Sequence, residues 1–158
     1  MPRTKALLTL SALVAFSMPS HAAEARLQDV LSAVTIYFTD GGGFGRALLV
    51  QDDDSSAGLM IFMPQAGADA SSSRSFVLAF QKPNLVFAGD MGGQQPTLSI
   101  GSQGSLVVSS ENIGIGRNRW EQKLTVVYRN KDFLIAGVTY DTRDTIDLKD
   151  VHHCDGIC

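Results

Sequence analysis

Apolar residues recur along the chain in short runs with a period of two, broken by clusters of Gly, Asp, Asn and Ser. A period of two sends successive side chains to opposite faces of an extended backbone, so these runs read as strands. They fall at 33–38, 46–51, 58–63, 75–80, 85–88, 97–100, 105–110, 120–128 and 132–140. Asp52-Asp53-Asp54-Ser55-Ser56 reads as a turn, and the Ala-, Ser- and Gly-rich residues 65–73 read as a loop. Helical spacing occurs at Leu27, Val30, Leu31 and Val34, which leaves room for one short N-terminal helix. The connections are too short for parallel crossovers. The expectation is a single antiparallel all-β domain: a sandwich, a roll or a propeller-blade-like sheet.

The stretch from Arg117 to Asp147 carries the most explicit register. Asn130-Lys131 can close a two-residue turn, because Asn tolerates positive φ. Tyr128 then faces Phe133, Val126 faces Ile135 and Leu124 faces Gly137, with Trp120 further along that face. Val127 with Leu134, Thr125 with Ala136 and Lys123 with Val138 make the other face. Both faces are apolar near the turn, so that end is expected in the core, Ile135 included. The far end is polar on one face and is expected to reach solvent. Gly137 leaves room for a close neighbour or a bulge.

The N-terminus changes the picture of where the chain works. Arg3 and Lys5 precede an apolar run at 6–16, and Ser20-His21-Ala22 is a small-x-small site, so residues 1–22 read as a secretory signal cut after Ala22. The run of 11 residues falls short of a membrane span, which needs about 20. The mature chain is therefore expected in the periplasm or outside the cell, with residues 23–150 forming the β domain and 151–158 a Cys/His-containing tail. It carries 11 Lys and Arg against 16 Asp and Glu, a net charge of −5. That balance argues against nucleic acid and anionic membrane surfaces as partners.

The segment PTLSIGSQGSLVVSSENIGIGRNRWEQKLTVVYRNKDFLIAGVTYDTRDT resembles the C-terminal half of a group of bacterial secreted or periplasmic all-β proteins. The resemblance rests on Leu98-Ser99-Ile100, on Gly104-Ser105-Leu106-Val107-Val108, on Trp120 and on the hairpin at 125–140. Upstream, FTDGGGFGRALLVQDDDSSAGLMIFM is similar to a degenerate FG-GAP-type propeller repeat, in which an acidic loop precedes a strand and a hairpin follows. The resemblance covers roughly residues 33–147. It implies an all-β fold and brings no agreed activity with it. Calcium-binding loops of that repeat supply several acidic oxygens from alternating positions, whereas here Asp40 is followed by Gly41, Gly42 and Gly43. Calcium is therefore not expected to be needed for folding.

Candidate chemistry is sparse. The glycines at 41–45 lead into a strand, whereas a phosphate loop leads into a helix N-terminus. Asp52, Asp53 and Asp54 read as a solvated turn. No G-x-S-x-G occurs, and the histidines of the mature chain, His152 and His153, sit in the tail. A carboxylate pair, Glu111 or Glu121 with Asp141 or Asp144, is conceivable for hydrolysis, but the spacing selects none. His152, His153, Cys154, Asp155 and Cys158 are metal-ligating types, yet the tail is terminal and nothing in the sequence gives them a geometry. An oxidising compartment favours a Cys154–Cys158 disulfide over free or intermolecular thiols and over a metal site. No metal and no cofactor are expected. The loop SENIGIGRNRWEQ offers Arg117, Asn118, Arg119 and Trp120 as contact residues, because Arg and Trp are enriched in interface hot spots. The competing reading puts Trp120 in the core and pairs the arginines with acids.

Taken together, these features point to an exported non-catalytic module that binds an envelope or secreted protein, with an inhibitor or immunity-type role as one form. A small envelope hydrolase using a carboxylate pair is the rival, and a structural component of an envelope assembly is a third reading. The oligomeric state stays open.

Overall fold

The computed structural model describes residues 26–38, 43–65, 75–89, 91, 94–147 and 149–156. The signal segment with its cut after Ala22, the Asp40 loop, most of the 65–73 loop and Cys158 lie outside the described residues. Among the described residues nine strands are found: β1 (Val30–Phe38), β2 (Gly43–Asp53), β3 (Ser56–Pro64), β4 (Phe76–Phe87), β5 (Thr97–Ile100), β6 (Leu106–Asn112), β7 (Asn118–Arg129), β8 (Asp132–Asp144) and β9 (Asp150–Gly156). They form two antiparallel meanders, β1-β2-β3-β4 and β5-β6-β7-β8-β9. The molecule is thus an all-β domain of two sheets. Among the described residues no helix is long and apolar enough to cross a membrane.

The inner faces of the two sheets meet in one core. Ile36, Phe38, Ala47, Leu49, Leu59 and Ile61 come from the first sheet; Leu98, Leu106, Val108, Leu124, Val126 and Phe133 come from the second. An aromatic cluster joins them: Phe38 lies 5.1 Å from Phe133 and 6.1 Å from Tyr128, and Phe80 lies 5.5 Å from Phe133, all between ring centroids. Polar groups tie the layers as well. The fully buried Ser110 hydroxyl donates to the Phe87 carbonyl at 2.7 Å, and Leu98 N–H donates to the Ser32 hydroxyl at 3.0 Å.

Several expectations shift. The helical spacing at Leu27–Val34 yields only one 3-10 turn, Leu27–Asp29, before β1 begins at Val30. The runs at 75–80 and 85–88 are one strand, β4, interrupted by irregularities in its pairing with β3. Lys82-Pro83-Asn84, between those two runs, stays within the strand, where the Asp52 carboxylate accepts the Asn84 N–H at 2.6 Å. A Cβ on Gly58 would meet that carboxylate at 2.7 Å and the Lys82 carbonyl at 3.0 Å, so a larger residue there would have to displace both. Asp52 is thus a strut, and it is not merely part of a solvated turn.

The Asn130-Lys131 turn forms with both residues at positive φ, 53° and 68°, as a type I′ hairpin needs. Tyr128 faces Phe133, Val127 faces Leu134 and Val126 faces Ile135, as the sequence predicts. The register then slips by one residue: Thr125 faces Gly137 and Leu124 faces Val138, with Ala136 as the extra residue of a bulge. The bulge breaks the in–out alternation of β8, so Ile135 is 48% exposed while its partner Val126 is 1% exposed. Ile135 is therefore not a core residue. The far end of the hairpin is also different from expectation on one face, because Trp120 packs against Phe87 of the first sheet, with centroids 5.8 Å apart, and stacks on Tyr140.

The largest correction is at the C-terminus. Asp150–Gly156 is not an unstructured tail but the edge strand β9, paired with β8 from Arg143↔Asp150 to Gly137↔Gly156.

Candidate functional site

The outer face of the five-stranded sheet carries charged residues in cross-strand rows. Pairing sets Glu111 opposite Glu121, Glu121 opposite Asp141 and Asp141 opposite His152. With strands about 4.8 Å apart, this row spans about 15 Å. Two residues further along the strands, Arg119 stands opposite Arg143 and Arg143 opposite Asp150. Together these side chains line a groove of about 500 Å³. The exposed Ile113 adds an apolar contact at its rim.

Most of these charges already have partners. The His152 Nδ1–H donates to the Asp141 carboxylate, an assignment that follows because an ionised carboxylate can only accept. This leaves the imidazole Nε2 turned to other partners. Lys123 Nζ sits 2.8 Å from Glu121, and Arg143 Nε sits 3.6 Å from Asp150. Glu111 and Arg119 differ. Neither side chain has an ion pair or hydrogen bond with a described residue, and Arg119 Nη1 is closed off from solvent without an acceptor. A buried donor with no acceptor, on a cation, is an uncompensated desolvation.

Of the four residues singled out from SENIGIGRNRWEQ, Arg119 and Trp120 meet at the groove, and Arg117 and Asn118 do not line it. Arg117 is a clamp: its Nε donates to both Asp144 carboxylate oxygens at 2.8 Å, and its Nη2 reaches Asp147 at 2.8 Å. Its carbonyl accepts the Thr145 N–H and hydroxyl, so the residue pins the turn after β8. Arg117 beside Asp144 holds that carboxyl far below the usual carboxylate range, helped by the Ile146 and Asp147 N–H groups. The same pairing raises the Arg117 guanidinium. Asn118 is exposed at the start of β7, opposite Asp144. Arg119 and Trp120 both line the groove; alternation turns the Trp120 side chain toward the inner face, where its ring also meets Phe87 and Tyr140.

The C-terminal cluster is split by the same alternation. His152 and Cys154 fall on one face of β9, while His153 and Asp155 fall on the other, hydrogen-bonded to each other at 2.9 Å. No three His, Cys, Asp or Glu side chains gather as a metal site among the described residues. Cys154 is half-buried opposite Thr139.

Sequence reasoning missed the groove for two reasons. It named Glu111, Glu121 and Asp141 without a means of pairing them, and it set His152 aside in a tail. With the unslipped hairpin register, Glu121 would face Tyr140 and Asp141 would point to the inner side. The Ala136 bulge is what brings Asp141 alongside Glu121. The Gly137 signal for a bulge was present in the sequence, but its position was not.

Fold and site define an all-β protein of two packed sheets with a charged groove on the outer face of one. No protein-family model, curated protein or solved structure matches the chain.

Proposed function

We propose that the chain is an exported, non-catalytic module that binds an envelope or secreted protein, with the outer groove of the five-stranded sheet as its contact surface. The observation that carries this reading is a concave face that gathers charges of both signs and, among the described residues, leaves Arg119 Nη1 buried without an acceptor and Glu111 without an ion pair. Half-satisfied polar groups in a concavity are suited to a ligand that completes them. The test is affinity capture from an envelope fraction with immobilised residues 23–158, beside an Arg119→Ala/Glu111→Ala variant. The reading expects a protein retained by the parent and lost by the variant. Equal capture by both would move the contact surface elsewhere.

A hydrolase is the second reading, supported by Glu111, Glu121 and Asp141 in one row with the Asp141–His152 pair beside them. Carboxyls that act as general acids are commonly held in apolar, water-poor sites, whereas the Glu121 and Asp141 side chains are 35% and 42% exposed. Binding is therefore preferred. Hydrolysis of glycoside or ester substrates that disappears in Asp141→Asn would reverse that preference.

The proposed Cys154–Cys158 disulfide would fasten β9 near its end. Four residues of extended strand span about 13 Å, while bonded cysteines have Cα atoms about 4.4–6.8 Å apart. Such a bond needs the chain to reverse directly after Cys154, and Gly156 has φ of +93°, a conformation suited to a reversal. Mass spectrometry of the non-reduced C-terminal peptide tests it; a covalent dimer would assign the cysteines different partners.

A further inference from the structure

Resting on that reading of the groove, we infer that its ligand is an extended polypeptide segment presenting a lysine or arginine beside a carboxylate, the cation seated on Glu111 and Glu121 and the carboxylate on Arg119. The charge pattern selects this class. Asp141 is engaged by His152, Glu121 by Lys123 and Asp150 by Arg143, so among the described residues the unmet demand lies at one corner, on Glu111 and Arg119. These two stand on neighbouring strands in adjacent rows. A ligand carrying only a cation leaves the guanidinium unmet, and one carrying only anionic charge meets the Glu111–Glu121–Asp141 row as repulsion. A guanidinium prefers the planar two-oxygen geometry of a carboxylate, and an acceptor there draws Nη1 out of its unpaired burial. The groove crosses four strands, about 15 Å, which matches about four to five extended residues. Ile113, 60% exposed, offers such a segment an apolar contact.

The test uses the mature chain and the acetylated, C-terminally amidated pentapeptide Gly-Arg-Gly-Asp-Gly, whose two charged side chains share one face of the extended chain, titrated by NMR chemical-shift changes. Two partner peptides replace its Arg by Gln or its Asp by Asn. The parent peptide should bind more tightly than either, by about tenfold, as expected for loss of one charge-assisted contact. Arg119→Gln should weaken the parent peptide to the level of the Asn peptide, and Glu111→Gln to the level of the Gln peptide. Asp54→Asn, in the exposed β2–β3 turn, changes net charge as Glu111→Gln does and should leave binding unchanged. Arg119 gives the sharpest sign. If general acidity alone attracted a basic segment, Arg119→Gln would make the protein more acidic and tighten binding. Tighter or unchanged binding in Arg119→Gln overturns the inference, as does no binding of the parent peptide at millimolar concentration. If the peptides fail while envelope capture still depends on Arg119 and Glu111, the binding module stands and only the ligand class falls. Melting curves of each variant separate lost contacts from lost fold.

Discussion

The two sheets turn unlike faces outward. On the four-stranded sheet, pairing places Tyr37 beside Phe44 and puts Arg46, Phe62 and Leu78 in one cross-strand row. Phe44 packs on Phe76 with centroids 5.9 Å apart, and the Arg46 guanidinium sits 4.6 Å above the Phe76 ring. In the middle of that face Met60, beside Leu48, is only 5% exposed. On the five-stranded sheet the same outward positions hold Glu111, Glu121, Asp141, Arg119 and Arg143. Both faces obey the same alternation, yet one carries apolar side chains, in contact around Phe44, Phe76 and Met60 and more open at Tyr37 and Leu78, and the other carries charged side chains, most of them in ion pairs. Apolar cross-strand contact adds to stability, whereas exposed ion pairs add about 0–1 kcal/mol each. The first face therefore helps hold the fold, and the second can be rearranged at little loss, which suits it to ligand contact.

That contrast can be broken in a graded series of urea unfolding experiments. The shared core sets the upper end. Phe38 is 1% exposed and touches rings from β7 and β8, so Phe38→Ala should lower stability by about 3–5 kcal/mol. A loss under about 1 kcal/mol would mean the sheets do not pack through it. Next comes the comparison itself. Met60→Ala should cost about 2 kcal/mol or more, and Glu121→Ala no more than about 0.5 kcal/mol. If the two losses are equal, the outer faces are not different in kind.

Smaller effects sharpen the hairpin that supports the groove. Ile135→Ala should cost no more than about 1 kcal/mol, since half the side chain is exposed. Lys131 holds a positive φ of 68°, so Lys131→Gly should raise stability by about 0.5 kcal/mol while Lys131→Ala stays within about 0.5 kcal/mol of the parent. A destabilising glycine there would contradict the type I′ turn.

The smallest expected effect is at the Arg117–Asp144 clamp, a surface ion pair whose side chains are 50% and 23% exposed. The Asp144 carboxyl is depressed in the folded state. A depressed carboxyl contributes stability that is complete above its unfolded value, about 3.9, and is lost as pH falls through the folded value. The melting-temperature gap between the parent and Asp144→Asn should therefore be constant from neutral pH to about pH 5 and shrink toward pH 2.5. A gap that widens in acid would contradict the assigned pairing. High salt should shrink it as well.

Sequence alone settled what depends on neighbours in the chain. Period-two runs located the strands, and Asn130-Lys131 located the turn, because alternation and turn chemistry act over a few residues. The pairs nearest that turn followed directly. Three other features were decided only in the tertiary structure. The Ala136 bulge shifts every pair beyond it and thereby moves Asp141 to the outer face. β9 exists because the open edge of β8 accepts its backbone hydrogen bonds, and its short polar sequence has no apolar alternation to announce it. The facing of Glu111 and Glu121 depends on the β6–β7 register across a loop held by the Asn112 side chain through Ile115. Register between strands is non-local, and a slip of one residue reverses every side chain beyond it. The charged residues of the groove could therefore be read off the sequence, but their meeting on one face could not.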